Sequence, residues 1–258
     1  MEGACKPLMP LREGPETSGL FLDFDGTISP IVSDPSSARP LPGVARLLSD
    51  LADRFKLVAV VSGRPASFLQ ERLSDAKGVR LFGLYGLEEA GAGGEIIVTE
   101  AAERWRSIVS DLVTTIRSRA PSGARVEDKG LTFTLHWREA PAAQDWAEEL
   151  ARATTQENGL IAQRGRMAIE LRPPVHSDKG TVVRSLAPGL AAVACFGDDL
   201  GDLPAFAALD ELAETGVAVA RVAVKDPESP QEVLDAADLV VLGPQGAAET
   251  LRWLLGGN

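Results

Sequence analysis

Cysteine, histidine and tyrosine are scarce in this chain: two, two and one among 258 residues. Cys5 and Cys195 lie far apart, one in the opening segment and one inside an apolar run, so a disulfide framework is not expected. His136 and His176 show no ligand spacing with either cysteine, which sets a zinc site aside. No apolar run approaches the roughly 20 residues that a membrane-spanning helix needs. Residues 1–18 lack the hydrophobic core of a secretion signal and read as a disordered leader. Cations are short as well: 26 Lys and Arg stand against 37 Asp and Glu, for a net charge of −11. That balance argues against nucleic acid as a partner. No GxxxxGK[ST] phosphate loop occurs, and Gly91–Glu95 (GAGGE) is only a weak imitation of one. The expectation is a cytoplasmic monomer that acts on a small molecule, with no membrane partner.

Apolar residues are plentiful, 45% of the chain, and they come in short runs that end in polar residues. Gly19–Phe24, Lys56–Val61, Val79–Leu84 and Ala192–Phe196 read as buried strands, and Gly216–Ala220 and Ala237–Leu242 as two more. Helical patterns follow at 44–54, 66–73, 178–186, 203–209 and 247–255. Strand–loop–helix alternation of this kind means a parallel sheet covered on both faces. The texture changes after the glycine-rich break at 91–94. A helix at 100–119, strands at 124–128 and 131–138, a helix at 142–155 and strands at 160–164 and 167–172 then form an α+β unit with an antiparallel sheet. The last two strands flank a tight turn at Gly165-Arg166. The domain reading is a core of residues 19–92 and 175–258 with an insert of residues 93–174. Trp105, Trp137 and Trp146 are expected in the insert's core, and Cys195 as a buried strand residue.

In an open parallel sheet, ligands bind beyond the carboxyl ends of the strands. Asp23 and Asp25, Ser62, and the group Asp198, Asp199 and Asp202 each follow a different predicted strand. Asp-x-Asp-Gly is also common in solvent-facing turns, and taken alone it leaves that reading open. Several carboxylates in one crevice require a counter-charge. An oxygen-only ligand set suits a hard cation, and Mg²⁺ takes a few carboxylates together with water and substrate phosphate. The candidate metal ligands are Asp23, Asp25, Asp198, Asp199 and Asp202, with Lys179 supplying further positive charge. Asp23 is the candidate nucleophile for attack on phosphorus, and Asp25 the acid and base that serves the bridging oxygen and then water. Thr27, Ser62, turn N–H groups such as that of Gly63, and Lys179 can hold the phosphoryl oxygens. Arg64 touches either phosphate or the insert, or simply caps a strand end.

Four stretches in order, DFDGT at 23–27, VVSGR at 60–64, the lysine of SDKGT at 177–181 and GDDLGD at 197–202, resemble the four motifs of haloacid-dehalogenase (HAD) phosphatases. An αββαββ insert after the third strand resembles that superfamily's larger cap. The implied fold is α/β, a HAD-like doubly wound parallel-sheet core with an inserted α+β cap domain. Within the superfamily, LDFDGTISPIVSDP, VEDKGLTFTLHWR and GRMAIELRPPVHSDKG resemble stretches of the trehalose-6-phosphate phosphatases. That resemblance implies a Mg²⁺-dependent hydrolase of trehalose 6-phosphate, in which Glu127, Lys129, Arg138 and Glu170 contact sugar hydroxyls and Arg64 and Glu88 line the substrate. A polar cluster on alternate strand positions also suits a solvated face. The chain departs from the family at Tyr85, where a histidine is usual, and at Leu200-Gly201. Other readings of the same motifs are a capped phosphatase for disaccharide, hexose or glycosyl-glycerate phosphates, or a catalytically silent sugar-phosphate sensor.

Overall fold

The computed structural model describes residues 5–32, 34–165, 167–227 and 229–257. It divides into two compact units, residues 1–97 with 177–258 and residues 98–176. In the first unit, the last residue of β5 excepted, the strands are β1 (Ser18–Leu22), β2 (Leu57–Val61), β3 (Arg80–Gly83), β4 (Glu88–Ala90), β5 (Ile96–Val98), β10 (Ala192–Gly197), β11 (Ala218–Lys225) and β12 (Leu239–Leu242). Among the described residues they form one sheet in the order β12-β11-β10-β1-β2-β3-β4-β5. Pairing is parallel from β12 to β3, and β4 joins antiparallel. Side chains alternate across the sheet, as strand geometry requires. Leu20, Leu22, Val58, Val60, Ala194 and Phe196 enter one hydrophobic core; Phe21, Ala59, Val61, Val193 and Cys195 enter the other.

Helices cover both faces. On the first lie α1 (Met9–Glu13), α2 (Val44–Ala52), α3 (Ala66–Arg72) and α10 (Gly243–Leu254); on the second lie α7 (Lys179–Leu186), α8 (Leu203–Glu214) and α9 (Gln231–Asp235). Both sides being apolar explains why the central strands are continuous hydrophobic runs. The leader reading needs correction from Cys5 onward. Leu8 and Leu11 are fully buried, and Arg12 stacks 4.3 Å over the Trp253 ring, so this segment is part of the core. Residues 1–4 of that expected leader lie outside the described residues. The glycine-rich break forms a turn: Gly91 N–H donates to the Glu95 carbonyl at 2.8 Å, turning β4 towards β5.

The second unit contains α4 (Glu100–Glu103), α5 (Trp105–Arg117), β6 (Arg125–Asp128), β7 (Phe133–His136), α6 (Gln144–Asn158), β8 (Ile161–Gly165) and β9 (Ala168–Arg172). Its antiparallel sheet runs β6-β7-β9-β8. Trp105, Val109 and Val113 of α5 and Ala147 and Ala151 of α6 pack with Phe133, Leu135, Ile169 and Leu171 of the sheet and with Trp137 just after β7, and Trp146 lies against the same core. The expected turn at Gly165-Arg166 involves Arg166, which lies outside the described residues. Among the described residues, no helix is long and apolar enough to cross a membrane.

Candidate active site

The chain order reverses beside β1: β2 and β3 extend the sheet one way, and β10 is laid down on the other side. Such a switch point opens a crevice at the carboxyl ends of the two central strands. Asp23 follows β1 directly, and its N–H donates to the Phe196 carbonyl at 3.0 Å, so it stays in the ladder with β10. Gly26 then takes a φ of +76°, and a Cβ there would lie 2.0 Å from an Asp198 oxygen. Only glycine lets the first motif approach the fourth this closely. The turn closes with Gly26 N–H to the Ser29 carbonyl at 2.8 Å.

Lys179, first residue of α7, is buried between two carboxylates. Its Nζ lies 2.8 Å from Asp23 and 2.6 Å from Asp202. The helix that presents it is capped by Asp178, whose side chain accepts the Thr181 N–H at 2.7 Å. Asp23, Asp198 and Asp202, all buried, have carboxylate oxygens within 4.8 Å of one another. Burial pushes the Asp23 carboxyl well above its ordinary value despite the opposing Lys179 ammonium, with Asp202 and Asp198 adding to the rise. Asp198 is pushed up to about 7, first by burial and then by Asp202 and Asp199. Burial also raises Asp202, against the pull of Lys179. The Lys179 ammonium is held well above its ordinary range by Asp202 and Asp23, although burial, the largest influence, acts the other way.

The hydrogen bonds sort these carboxylates. Asp202 is used on both oxygens, one by Lys179 and the other by the N–H groups of Asp198 and Asp199 at 3.0 and 3.2 Å. Asp198 accepts the buried Thr27 hydroxyl at 3.1 Å through one oxygen. Three carboxylates against one ammonium leave two negative charges when all are ionised. A divalent cation fits that remainder, and the second oxygens of Asp23 and Asp198 are the donors that would face it.

Two expected metal ligands are placed elsewhere. Asp25 is gripped by Arg64, Nε to one oxygen at 2.7 Å and Nη2 to the other at 2.8 Å, a bidentate pair. Asp199 is exposed and caps the 3₁₀ turn 200–202 by accepting the Gly201 N–H at 2.8 Å. Ser62 follows β2, is buried, and accepts the Arg64 N–H at 3.2 Å. A Cβ on Gly63 would meet the Tyr85 ring at 2.7 Å. Tyr85 itself has a φ of 59°, with its N–H on the Ser62 carbonyl at 2.9 Å and its carbonyl accepting the Ser177 hydroxyl at 2.6 Å. This turn, whose role the sequence reading missed, ties the serine loop to the lysine segment. Its sequence signal is a bulky residue just before a glycine at a strand end. Glu88 is buried and caps α3, accepting the Ala66 N–H at 2.9 Å, which is a structural use of the carboxylate.

In the second unit, Lys129 donates to Glu170 at 3.1 Å, and Glu127 meets His136 at 2.8 Å. The His136 hydrogen bond, with help from Lys129, lowers the Glu127 carboxyl to about 2 against the effect of burial. Strand alternation puts His136 on the face of Thr134. Arg138 is exposed in the turn after β7 and joins neither pair among the described residues.

The trehalose-phosphatase family model matches residues 21–237, which include every residue of this cluster. The chain is 34% identical over 206 residues to a trehalose-phosphate phosphatase of Mycobacterium leprae, covering 74% of this chain and 47% of that protein. It therefore spans about half the length of the curated relatives it matches. The C-terminal domain of a Candida albicans trehalose-6-phosphate phosphatase superposes with a TM-score of 0.74 at 25% identity, covering 96% of each chain. A haloacid dehalogenase-like hydrolase from Bacteroides thetaiotaomicron shares the fold, with a TM-score of 0.63 at 15% identity over 92% of this chain and 98% of that one. Motif order, carboxylate–lysine geometry and insert agree with these likenesses, and the chain belongs to the trehalose-phosphatase family.

Proposed function

We propose that this chain is a Mg²⁺-dependent phosphatase that hydrolyses trehalose 6-phosphate to trehalose and phosphate through an aspartyl-phosphate on Asp23. The observation that carries the reading is the buried Asp23 carboxylate, with one oxygen held 2.8 Å from Lys179 and Asp198 alongside. The free oxygen of Asp23 attacks phosphorus, the phosphorus–oxygen bond to the sugar breaks, and Asp25 protonates the departing alkoxide. Water then attacks the phosphoryl group with Asp25 taking its proton, which frees Asp23. Arg64 holds both oxygens of Asp25, so each transfer needs one of those bonds to open. Lys179, Ser62 and the loop N–H groups stabilise the phosphoryl oxygens. Bound at Asp23 and Asp198, Mg²⁺ would supply the positive charge that keeps Asp23 ionised beside a phosphate. Asp202, the third member of the carboxylate cluster, acts through Lys179 and the loop backbone, which engage both of its oxygens.

The polar side of the inserted sheet, with Glu127, Lys129 and Glu170, is assigned to the sugar hydroxyls. The two thiols, free and buried, suit a reducing compartment, and a cytoplasmic location is part of the proposal. The test is phosphate release from a panel of sugar phosphates, with Mg²⁺ and with chelator, by wild type and Asp23→Asn. Mg²⁺-dependent turnover of trehalose 6-phosphate, lost in the variant, is expected. Turnover spread over hexose phosphates would retain the chemistry and discard the substrate. Tight binding without turnover would make the protein a sensor.

A further inference from the structure

The inserted unit holds two buried polar atoms with no hydrogen-bond partner among the described residues, Trp105 Nε1 within the hydrophobic core and the Thr134 hydroxyl, and the phosphoryl chemistry uses neither. Along β7, Phe133 and Leu135 enter the core with α5 and α6, so Thr134 and His136 fall on the opposite face. The register sets Thr134 directly across from Glu127 on one side and Glu170 on the other, with Gln163 beyond Glu170. The flanking carboxylates are each engaged through one oxygen. Glu127 Oε2 faces His136 at 2.8 Å, and Glu170 Oε1 accepts both Lys129 at 3.1 Å and the Thr132 hydroxyl at 2.8 Å. Thr134 is only 5% exposed, and its hydroxyl has no hydrogen-bond partner among the described residues. Thr132, the same side chain two residues earlier, is satisfied. A buried hydroxyl without a partner is destabilising, and valine has the same shape without that cost.

The surroundings select the missing partner. Carboxylates on both sides repel a phosphate or any other anion. Glu127 and Glu170 stand two strands apart, about 9–10 Å at the usual spacing, too far for one small cation to gather both backbone positions. Among the described residues, the one cluster with metal-ligand spacing is in the other unit. A neutral hydroxyl-rich group satisfies everything present: it pairs with the Thr134 hydroxyl and donates to the second oxygens of Glu127 and Glu170. The His136 hydrogen bond keeps Glu127 ionised and therefore an acceptor.

We propose that Thr134 is a specificity-determining residue whose hydroxyl binds a hydroxyl of the non-phosphorylated, neutral part of the sugar substrate. This rests on the sugar-phosphatase reading above. Thr134→Val and Thr134→Ser, with Thr132→Val as the internal contrast, test it by KM, kcat and thermal unfolding without substrate. For Thr134→Val the KM for trehalose 6-phosphate should rise about five- to tenfold, the loss of one hydrogen bond, with kcat within about twofold of wild type. Its melting temperature should not fall, and Thr134→Ser should keep the wild-type KM. Thr132→Val should melt lower, because it breaks an internal bond to Glu170. An unchanged KM in Thr134→Val overturns the proposal, as does a lower melting temperature with kcat and KM altered together. Were wild type to hydrolyse a different sugar phosphate, the comparison is made on that ester: a raised KM retains Thr134 and drops only trehalose, and an unchanged KM drops Thr134. Wild type that hydrolyses no sugar phosphate overturns both.

Discussion

Raising the pH in a chelating buffer should weaken this fold, and Asp198 sets the size of the effect. Its carboxyl is pushed from 3.8 up to about 7 by burial, then by Asp202 and Asp199, against Lys179 and the Thr27 hydroxyl. A folded-state pKa above the unfolded one means that the folded protein holds this proton longer. The contribution is fully present below about pH 4 and is lost as the pH rises through about 7. The difference corresponds to roughly 4 kcal/mol in total, of which roughly half falls between about pH 5.5 and about pH 8.5. Asp23 and Asp202 are shifted in the same direction and add to the loss. Lys179, also raised, loses its contribution only in strongly alkaline solution and does not oppose the trend. A divalent cation binds the ionised carboxylates, so the stability it adds should grow with pH. Urea unfolding at the two pH values, with chelator or with Mg²⁺, would measure this for wild type and Asp198→Asn. Chelated wild type should lose about 2 kcal/mol more than the variant between them, and Mg²⁺ should flatten the wild-type profile alone. Parallel pH profiles for the two chelated proteins would refute the reasoning.

Lys179→Met leaves Asp23 and Asp202 buried without their ammonium, and should cost about 3–5 kcal/mol near neutral pH, less near pH 5, and abolish phosphate release. Equal destabilisation at both pH values would show that the carboxylates do not titrate as a cluster. Gly63→Ala drives a methyl into the Tyr85 ring and should cost about 1–3 kcal/mol. Tyr85→Ala in the same chain should recover most of that loss in a double-mutant cycle, and additive losses would exclude the close approach. Leu11→Ala should cost about 2–5 kcal/mol by denaturant unfolding, whereas a change below about 0.5 kcal/mol would return residues 5–17 to the status of a loose tail.

Legibility in the sequence followed the length of each pattern. Strands β1, β2 and β10 are buried on both faces, and their apolar runs ending in polar residues identify the sheet and its ligand-binding edge. The inserted unit was equally readable, because Phe133, Leu135 and Trp137 alternate with polar residues over a half-covered sheet. The hairpin of β4 and β5 escaped, since each strand is three residues long and Glu88-Glu89 resembles a surface loop. Leu8 and Leu11 escaped for a similar reason. Prolines at 7, 10 and 15 confine the segment to short turns, and no helical repeat runs long enough to show which side is buried.

The five aspartates show where residue type stops being informative. Asp23 and Asp25 stand two residues apart, yet Lys179 takes one and Arg64 the other. In the second group, Asp199 turns outward to cap the 3₁₀ turn while Asp198 and Asp202 stay buried. Asp202 then spends both oxygens on Lys179 and two backbone N–H groups, which leaves Asp23 and Asp198 with an oxygen each for a cation. Those choices are made by loop geometry at Gly26 and Gly197, where a Cβ would fall 2.0 Å from Asp198 and 2.1 Å from Asp202. Alanine at Gly26 should therefore disable the site with every charged residue still present. It would be strained by the φ of +76° and would displace the Asp198 carboxylate. Unfolding measurements should show the strain, and a lost Mg²⁺-dependent gain in stability should show the displacement. A variant that keeps the Mg²⁺ response would mean that Asp198 does not depend on this approach.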